Sequence, residues 1–210
     1  MPMFESLKKS VESLLSEGQA IPPARLEKLE QLAAWMAERL RKKAPVRLNF
    51  ICTHNSRRSH MGQAMALAGA AHFGFANVEC YSGGTEGTAF FPAAVDALRT
   101  LGFQIGKDTS TDEKNPRYAV STGAAAPVVF FSKKYDAPPN RMEDTACVLV
   151  CSQADEACPV VLGASLRISL PFDDPKAFDG TPEAPEKYRE RACDIGREVL
   201  HAFSLAGKAL

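Results

Sequence analysis

The sequence predicts an α/β fold, a central parallel sheet of about four strands flanked by helices, with an N-terminal helical extension. Three observations lead there. From residue 46 onward short apolar runs alternate with segments of helical period, the pattern of strand–helix–strand units. Before residue 45 the apolar residues recur at helical spacing only. The composition, 45% hydrophobic and 24% charged, suits a chain that folds around a core.

Taken in order, residues 3–15 and 23–43 read as two helices separated by Pro22 and Pro23. In the second, Leu26, Leu29, Leu32, Ala33, Met36 and Leu40 form one stripe. The pair reads as a helical hairpin packed on the main domain or on a second subunit, so residues 1–44 are set apart from a domain spanning 45–210. Strands are expected at 46–51, 78–82, 128–132, 146–151 and 166–170. Helices are expected at 59–73, 92–101 and 183–206. Pro92 suits the first turn of its helix, and Gly102 suits a left-handed cap after it. In a parallel sheet of this kind ligands bind outside the carboxyl ends of the strands. The polar segment that follows residue 51 stands at such an end.

Charge and cysteine usage narrow the function. Lys+Arg and Asp+Glu balance at 25 each, which gives no bulk field for nucleic acid or an anionic membrane. No apolar run approaches the ~18 residues of a membrane span. The charged N-terminus has no secretory apolar region, so a cytoplasmic location is expected. There the six cysteines, at 52, 80, 147, 151, 158 and 193, are expected to be reduced. Their spacing contains no CxxC or Cys/His set, so no metal is expected. Cys80, Cys147 and Cys193 lie in apolar or helical settings and read as packing residues. His60 and His72 fall on the helix after the loop and read as satisfied or solvated.

The chemistry concentrates in Cys52-Thr53-His54-Asn55-Ser56-Arg57-Arg58-Ser59. A loop wrapped at a helix N-terminus points several backbone N–H groups at one place, and the helix dipole adds positive potential there. A tetrahedral oxyanion fits such a cradle, and a guanidinium grips two of its oxygens. The same field lowers a cysteine pKa from about 8.5 to about 3.5–7.5. Nucleophile and clamp thus come from one turn of chain.

CTHNSRRS resembles the active-site loop of the low-molecular-weight protein tyrosine phosphatase superfamily, which includes the thioredoxin-coupled arsenate reductases. The resemblance spans roughly residues 46–206 and extends to Tyr81-Ser82-Gly83-Gly84 and to the Pro-led helix from Phe91-Pro92 to Gly102. It implies Cys52 as nucleophile, Arg58 as oxyanion clamp, Ser59 as thiolate stabiliser and Asn55 as loop brace, with Thr53, His54, Ser56 and Arg57 completing the oxyanion cradle. Two positions depart from the usual CTGNSCRS: His54 stands for Gly and Arg57 for Cys. Family members place a proton-donating Asp-Pro late in the chain. Phe172-Asp173-Asp174-Pro175 lies there, which assigns Asp174, with Asp173 as its rival; a plain turn starter is the other reading.

Cys151-Ser152-Gln153-Ala154-Asp155-Glu156-Ala157-Cys158-Pro159 resembles the redox segment LCSDAD…CP of the arsenate reductases. Carried over, Cys151 resolves the arsenylated nucleophile and Cys158 passes the disulfide to a thioredoxin-like reductant. The implied activity is arsenate reduction. A phosphatase acting on phosphotyrosine or small aryl phosphates is the alternative, and a non-catalytic oxyanion or redox sensor is a third. No cofactor is expected; Gln63 stands where potassium-binding reductases carry an acidic residue. An insertion at about 117–144, with Tyr118, Phe130, Phe131 and Tyr135, is expected as a hairpin or flap beside the site, where its aromatic rings would meet a tyrosyl substrate.

Overall fold

The computed structural model describes residues 2–158 and 160–210. In chain order the elements are α1 (Glu5–Ser16), α2 (Pro23–Arg41), β1 (Val46–Cys52), α3 (Arg58–Phe73), β2 (Val78–Gly84), α4 (Pro92–Thr100), β3 (Gln104–Asp108), β4 (Arg117–Ser121), β5 (Val128–Phe130), β6 (Thr145–Leu149), α5 (Ser152–Ala157), β7 (Ala164–Ser169) and α6 (Ala184–Lys208). The main sheet has the order β2-β1-β6-β7 and is parallel throughout. Its central strands are covered on both faces, so β1 and β6 read as near-continuous buried runs. Phe50 of β1 faces α3, where a side chain at Gly62 would strike its ring. Asn49 faces the other way and donates to the Tyr135 carbonyl at 2.9 Å.

Helix α6 organises the helical layer, packing on α1, α2, α3 and α4. Tyr188, Ala192, Ile195, Val199, Ala202 and Ala206 lie three or four residues apart and are buried, which makes one wide apolar stripe. Each N-terminal helix packs on this stripe rather than mainly on its sequence neighbour, which modifies the expected hairpin. Leu7, Val11 and Leu14 of α1 and Leu29, Leu32 and Met36 of α2 are buried in the same core as the sheet. The apolar stripe of α2 is therefore covered within the chain.

The main correction concerns the strand expected at 128–132. It is shorter, Val128–Phe130, and it belongs to a separate antiparallel sheet of order β3-β4-β5. Strands β3 and β4 escape a hydrophobic-pattern reading because Gln104-Ile105-Gly106-Lys107-Asp108 and its partner bury only one or two side chains each.

His60 on α3 joins the two sheets. Its ring stacks on Phe90 at 4.1 Å and lies 5.7 Å from Phe130, and Nδ1 meets Ser82 Oγ at 3.1 Å. Burial, reinforced by the nearby Lys133 charge, holds this imidazole well below its ordinary 6.5. The folded state thus refuses a proton that the unfolded chain accepts below about pH 6.5, so stability is lost as the pH falls through that value. We expect urea denaturation between about pH 7 and pH 5 to show His60→Gln less acid-sensitive than the wild type, by about 1.4 kcal/mol per pH unit below 6.5. Parallel pH profiles for the two proteins would exclude His60 as the source.

Candidate active site

Strand β1 ends at Cys52, and α3 begins six residues later at Arg58. The intervening loop is pinned by its neighbours. Thr85 N–H donates to the Cys52 carbonyl at 3.1 Å, Glu86 N–H to Thr53 at 2.8 Å, and Phe91 N–H to Ser56 at 2.9 Å. The left-handed residue of the loop is Asn55, at φ 44°, a conformation that asparagine tolerates better than most side chains. His54 is not in that region, so the loss of a glycine at position 54 carries no backbone penalty. Its side chain lines the cleft instead.

Asn55 Nδ2 donates to Ser59 Oγ at 2.9 Å, and Ser59 Oγ lies 3.1 Å from Cys52 Sγ. The hydroxyl accepts from Asn55 and keeps its single proton, which can serve the sulfur when that is a thiolate. Asn55 Oδ1 in turn accepts from Lys133 N–H at 2.8 Å. Ser132 Oγ donates to the His54 carbonyl at 3.0 Å. The insertion, whose β4 and β5 form the hairpin of the two expected alternatives, therefore braces the loop. Its aromatic rings are placed elsewhere: Tyr118 and Phe130 are buried around Phe90, and Phe131 lies beneath Arg117 and Lys133. Phe172 is the aromatic residue of the cleft.

Arg58 donates from Nη1 to the Phe172 carbonyl at 2.7 Å and from Nη2 to Asp174 Oδ2 at 2.5 Å. Its Nε is buried without a partner among the described residues. Asp174 Oδ1 accepts from Lys176 N–H at 3.0 Å and caps a 3₁₀ turn, Pro175–Phe178. Asp173 is different: its side chain is 98% exposed and 3.8 Å from Arg191. Of the two neighbours, the structure brings Asp174 to the loop. A cleft of about 400 Å³ opens between the two segments and is lined by His54, Arg58, Cys151, Gln153, Phe172 and Asp174, among others.

Arg57 does not join this set, and its side chain is withdrawn from the expected oxyanion cradle. It points to α6, where Nε donates to Tyr188 Oη at 2.5 Å and Nη2 to Asp179 Oδ2 at 2.6 Å. Its guanidinium lies 4.0 Å over the Phe91 ring. Tyr188 and Asp179 went unnoticed in the sequence because Tyr188 sits in the apolar stripe of α6 and reads as core, while Asp179 belongs to no motif.

Cys151 is buried beside the loop, with Sγ 3.5 Å from Thr53 Oγ1 and accepting from Ala154 N–H at 3.3 Å. Cys158 closes the far end of α5 and is also buried. Burial pushes the Cys158 thiol up, opposed by Arg167 and reinforced by Cys151. Arg167 holds the segment to β7: it donates to the Cys158 and Asp155 carbonyls at 3.0 and 2.8 Å and to Asp155 Oδ1 at 2.5 Å. Ser169 Oγ donates to Asp155 Oδ2 at 2.5 Å. Cys80 and Cys147 are fully buried, and burial pushes the Cys147 thiol up to about 12. Gln63 donates to the Cys80 carbonyl at 2.8 Å.

Comparison with known proteins gives a consistent picture. The profile of the family "low molecular weight phosphotyrosine protein phosphatase" matches residues 47–116. Arsenate reductases of Bacillus licheniformis and Halalkalibacterium halodurans are each 27% identical over 159 residues, covering 76% of this chain and 95% of theirs. Among solved structures, an arsenate reductase in the phosphate-binding state aligns with TM-score 0.50 at 16% identity, over 76% of this chain and 97% of its own. A mutant of YwlE from Bacillus subtilis aligns with TM-score 0.51 at 18% identity, over 75% and 95%. These two likenesses establish the fold.

Glycine 84 tests how tightly the loop is built. A Cβ there would lie 2.2 Å from the Glu86 carbonyl and 2.6 Å from Asn55 N and the Thr53 carbonyl. We expect Gly84→Ala to cost about 1–3 kcal/mol of stability and to displace the loop. Mass spectrometry after brief iodoacetamide treatment should then show an altered rate of Cys52 alkylation. Gly106→Ala, with nothing within 4 Å of its Cβ, should leave both unchanged. Equal behaviour of the two variants would mean that the loop is not held by this approach.

Proposed function

We propose that the chain, which is similar to the low molecular weight phosphotyrosine protein phosphatases and to arsenate reductases, is a thiol-dependent arsenate reductase. The observation that carries this reading is the second buried thiol at the loop. Cys151 touches Thr53, the residue after Cys52, at 3.5 Å. Hydrolysis of a phosphoester needs one thiol and water; reduction of As(V) needs two electrons from a pair of thiols. Tyr118 and Phe130 of the insertion are buried, and none of its aromatic residues lines the cleft, which leaves little there to stack on a tyrosyl ring.

The residues supply each step. The cradle and the Arg58 fork hold the oxyanion, with the free Nε–H of Arg58 available to it. Cys52 thiolate attacks arsenic, an As–O bond breaks, and Asp174 protonates the departing oxygen as water. Cys151 then attacks the Cys52 sulfur. The S–As electron pair stays on arsenic, which leaves as arsenite, and a Cys52–Cys151 disulfide remains. Cys158 attacks Cys151, returning Cys52 as thiolate and forming a Cys151–Cys158 disulfide. A dithiol protein of the thioredoxin type reduces that bond by exchange.

Forming the Cys151–Cys158 disulfide requires α5 to open. Seven positions along a helix span on the order of 10 Å, whereas a disulfide needs α-carbons within about 7 Å. Helix α5 has six residues, too few to be stable without tertiary support. The Arg167 and Ser169 contacts to Asp155 provide that support and must release as the disulfide forms.

Steady-state assays decide between the reductase and the phosphatase. Cys52→Ser should abolish both arsenate reduction with a thioredoxin system and aryl phosphate hydrolysis. Cys151→Ser and Cys158→Ser should stop reduction and leave hydrolysis within about threefold of wild type, since water alone regenerates Cys52 in hydrolysis. Arsenate should also produce a Cys151–Cys158 disulfide in the wild type, detected by mass spectrometry after thiol blocking. Arsenate turnover that survives both substitutions, or wild-type protein that turns over aryl phosphate and never arsenate, would replace this reading with the phosphatase.

A further inference from the structure

We infer that Arg57 and Asp179, joined through Tyr188, are positioning residues for the general acid: they keep the Asp174 segment in place while Arg58 changes partner. The inference deepens the proposed function and rests on its assignment of Asp174 as the proton donor.

Two adjacent arginines of the loop hold the two ends of one short turn. Arg58 binds Asp174, which precedes Pro175–Phe178, and Arg57 binds Asp179, which follows it. Only the first of these ties obstructs catalysis. The Asp174 carboxylate, 2.5 Å from the Arg58 guanidinium, occupies the fork that an oxyanion needs. A dianionic oxyanion in the cradle competes for the same guanidinium and offers it more charge and two-point geometry. When Arg58 turns to the oxyanion, Asp174 gives up its guanidinium partner. At that moment it also loses its tether to the loop.

The second tie is built so that the oxyanion does not reach it. The Arg57 side chain is 11% exposed and is not part of the cleft lining. It lies on Phe91, and Tyr188 stacks on the same ring at 5.6 Å. Tyr188 Oη accepts from Arg57 and donates to Asp179 Oδ1 at 2.5 Å. Burial, then the bond to Asp179, push this phenol up, so it keeps its proton and its place in the chain of bonds. The arrangement explains an arginine at position 57: an exchanging tie needs a permanent one beside it.

The proton accounting on an aryl phosphate shows where the tie acts. As the Cys52 sulfur bonds phosphorus, the bond to the aryl oxygen breaks with its electron pair, and the Asp174 proton passes to that oxygen. Water then attacks phosphorus, the Asp174 carboxylate takes its proton, and the S–P pair returns to sulfur. A misplaced Asp174 harms the first step most when the leaving oxygen is strongly basic.

The test compares kcat/KM for phenyl phosphate and 4-nitrophenyl phosphate, the second having the better leaving group. Asp179→Asn should slow phenyl phosphate by roughly tenfold or more, a share of the 10²–10⁴-fold contribution of a general acid, and should slow 4-nitrophenyl phosphate by less than about threefold. Tyr188→Phe, which removes one hydroxyl, should act in the same direction more weakly. The double variant Asp174→Asn/Asp179→Asn should be no slower than Asp174→Asn alone, because Asp179 acts through Asp174. A second readout needs no turnover. Hydrogen exchange across residues 172–179 should stay slow in the wild type when inorganic phosphate is added, and should speed up on phosphate addition in Asp179→Asn. Equal losses on both substrates, multiplying losses in the double variant, or exchange indifferent to phosphate in Asp179→Asn would overturn the inference. If Asp174→Asn slows phenyl phosphate and Asp179→Asn does not, the positioning role alone is wrong. If Asp174→Asn has no effect, the acid assignment falls and takes the inference with it.

Discussion

The site depends on one amide. Asn55, held at φ 44°, turns the loop after β1 and uses both ends of its side chain, donating to Ser59 Oγ and accepting from Lys133 N–H. The first bond holds the Ser59 hydroxyl 3.1 Å from the Cys52 sulfur. The second fastens the loop to the segment that follows β5. An unpaired buried amide is costly, so the three parts, loop, helix start and insertion, are set in register together. Gly84 allows this closeness, because β2 ends against the loop with no room for a side chain.

Around that centre the structure uses arginine as a fastener. Arg25 of α2 donates to the Pro171 carbonyl and lies over Phe172, Arg58 takes the Phe172 carbonyl and Asp174, and Arg57 takes Asp179. A run of nine residues with little regular structure is thereby held from three directions. Guanidinium suits the task, since a planar fork binds two acceptors and stacks on an aromatic face at once. These pairs are half-buried or buried, so salt screens them less than the surface pairs of α1 and α2.

Much of this was legible in the sequence, and the exceptions have physical reasons. Cys52 and Arg58 could be placed because a strand, a short polar loop and a helix have distinct local patterns. The parallel sheet was readable because short apolar runs alternate with helical segments from residue 46 onward. The second sheet was not, since strands such as Gln104–Asp108 bury one residue and resemble loop. Asp173 and Asp174 could not be separated by spacing; the cap on the 3₁₀ turn and the Arg58 pair separate them in space. Arg57 misled because charge beside an anion site suggests a ligand, whereas its direction is set by Tyr188, more than 130 residues away. The consequence of His54 required the backbone angle, which no residue identity reveals.

The seating of the first two helices bears on solubility. Leu14 of α1 lies against Gly196 of α6, Glu17 pairs with Arg197, and Arg25 pairs with the buried Glu198. Every residue lining the cleft comes after position 44, so a chain begun at residue 45 would retain its full chemical complement. It would also uncover the apolar stripe of α6 and strip Glu198 of its countercharge. An exposed oily face of that kind invites self-association. The two helices act as a sheath for the catalytic body, and colloidal behaviour, more than catalytic chemistry, is what their removal would disturb first.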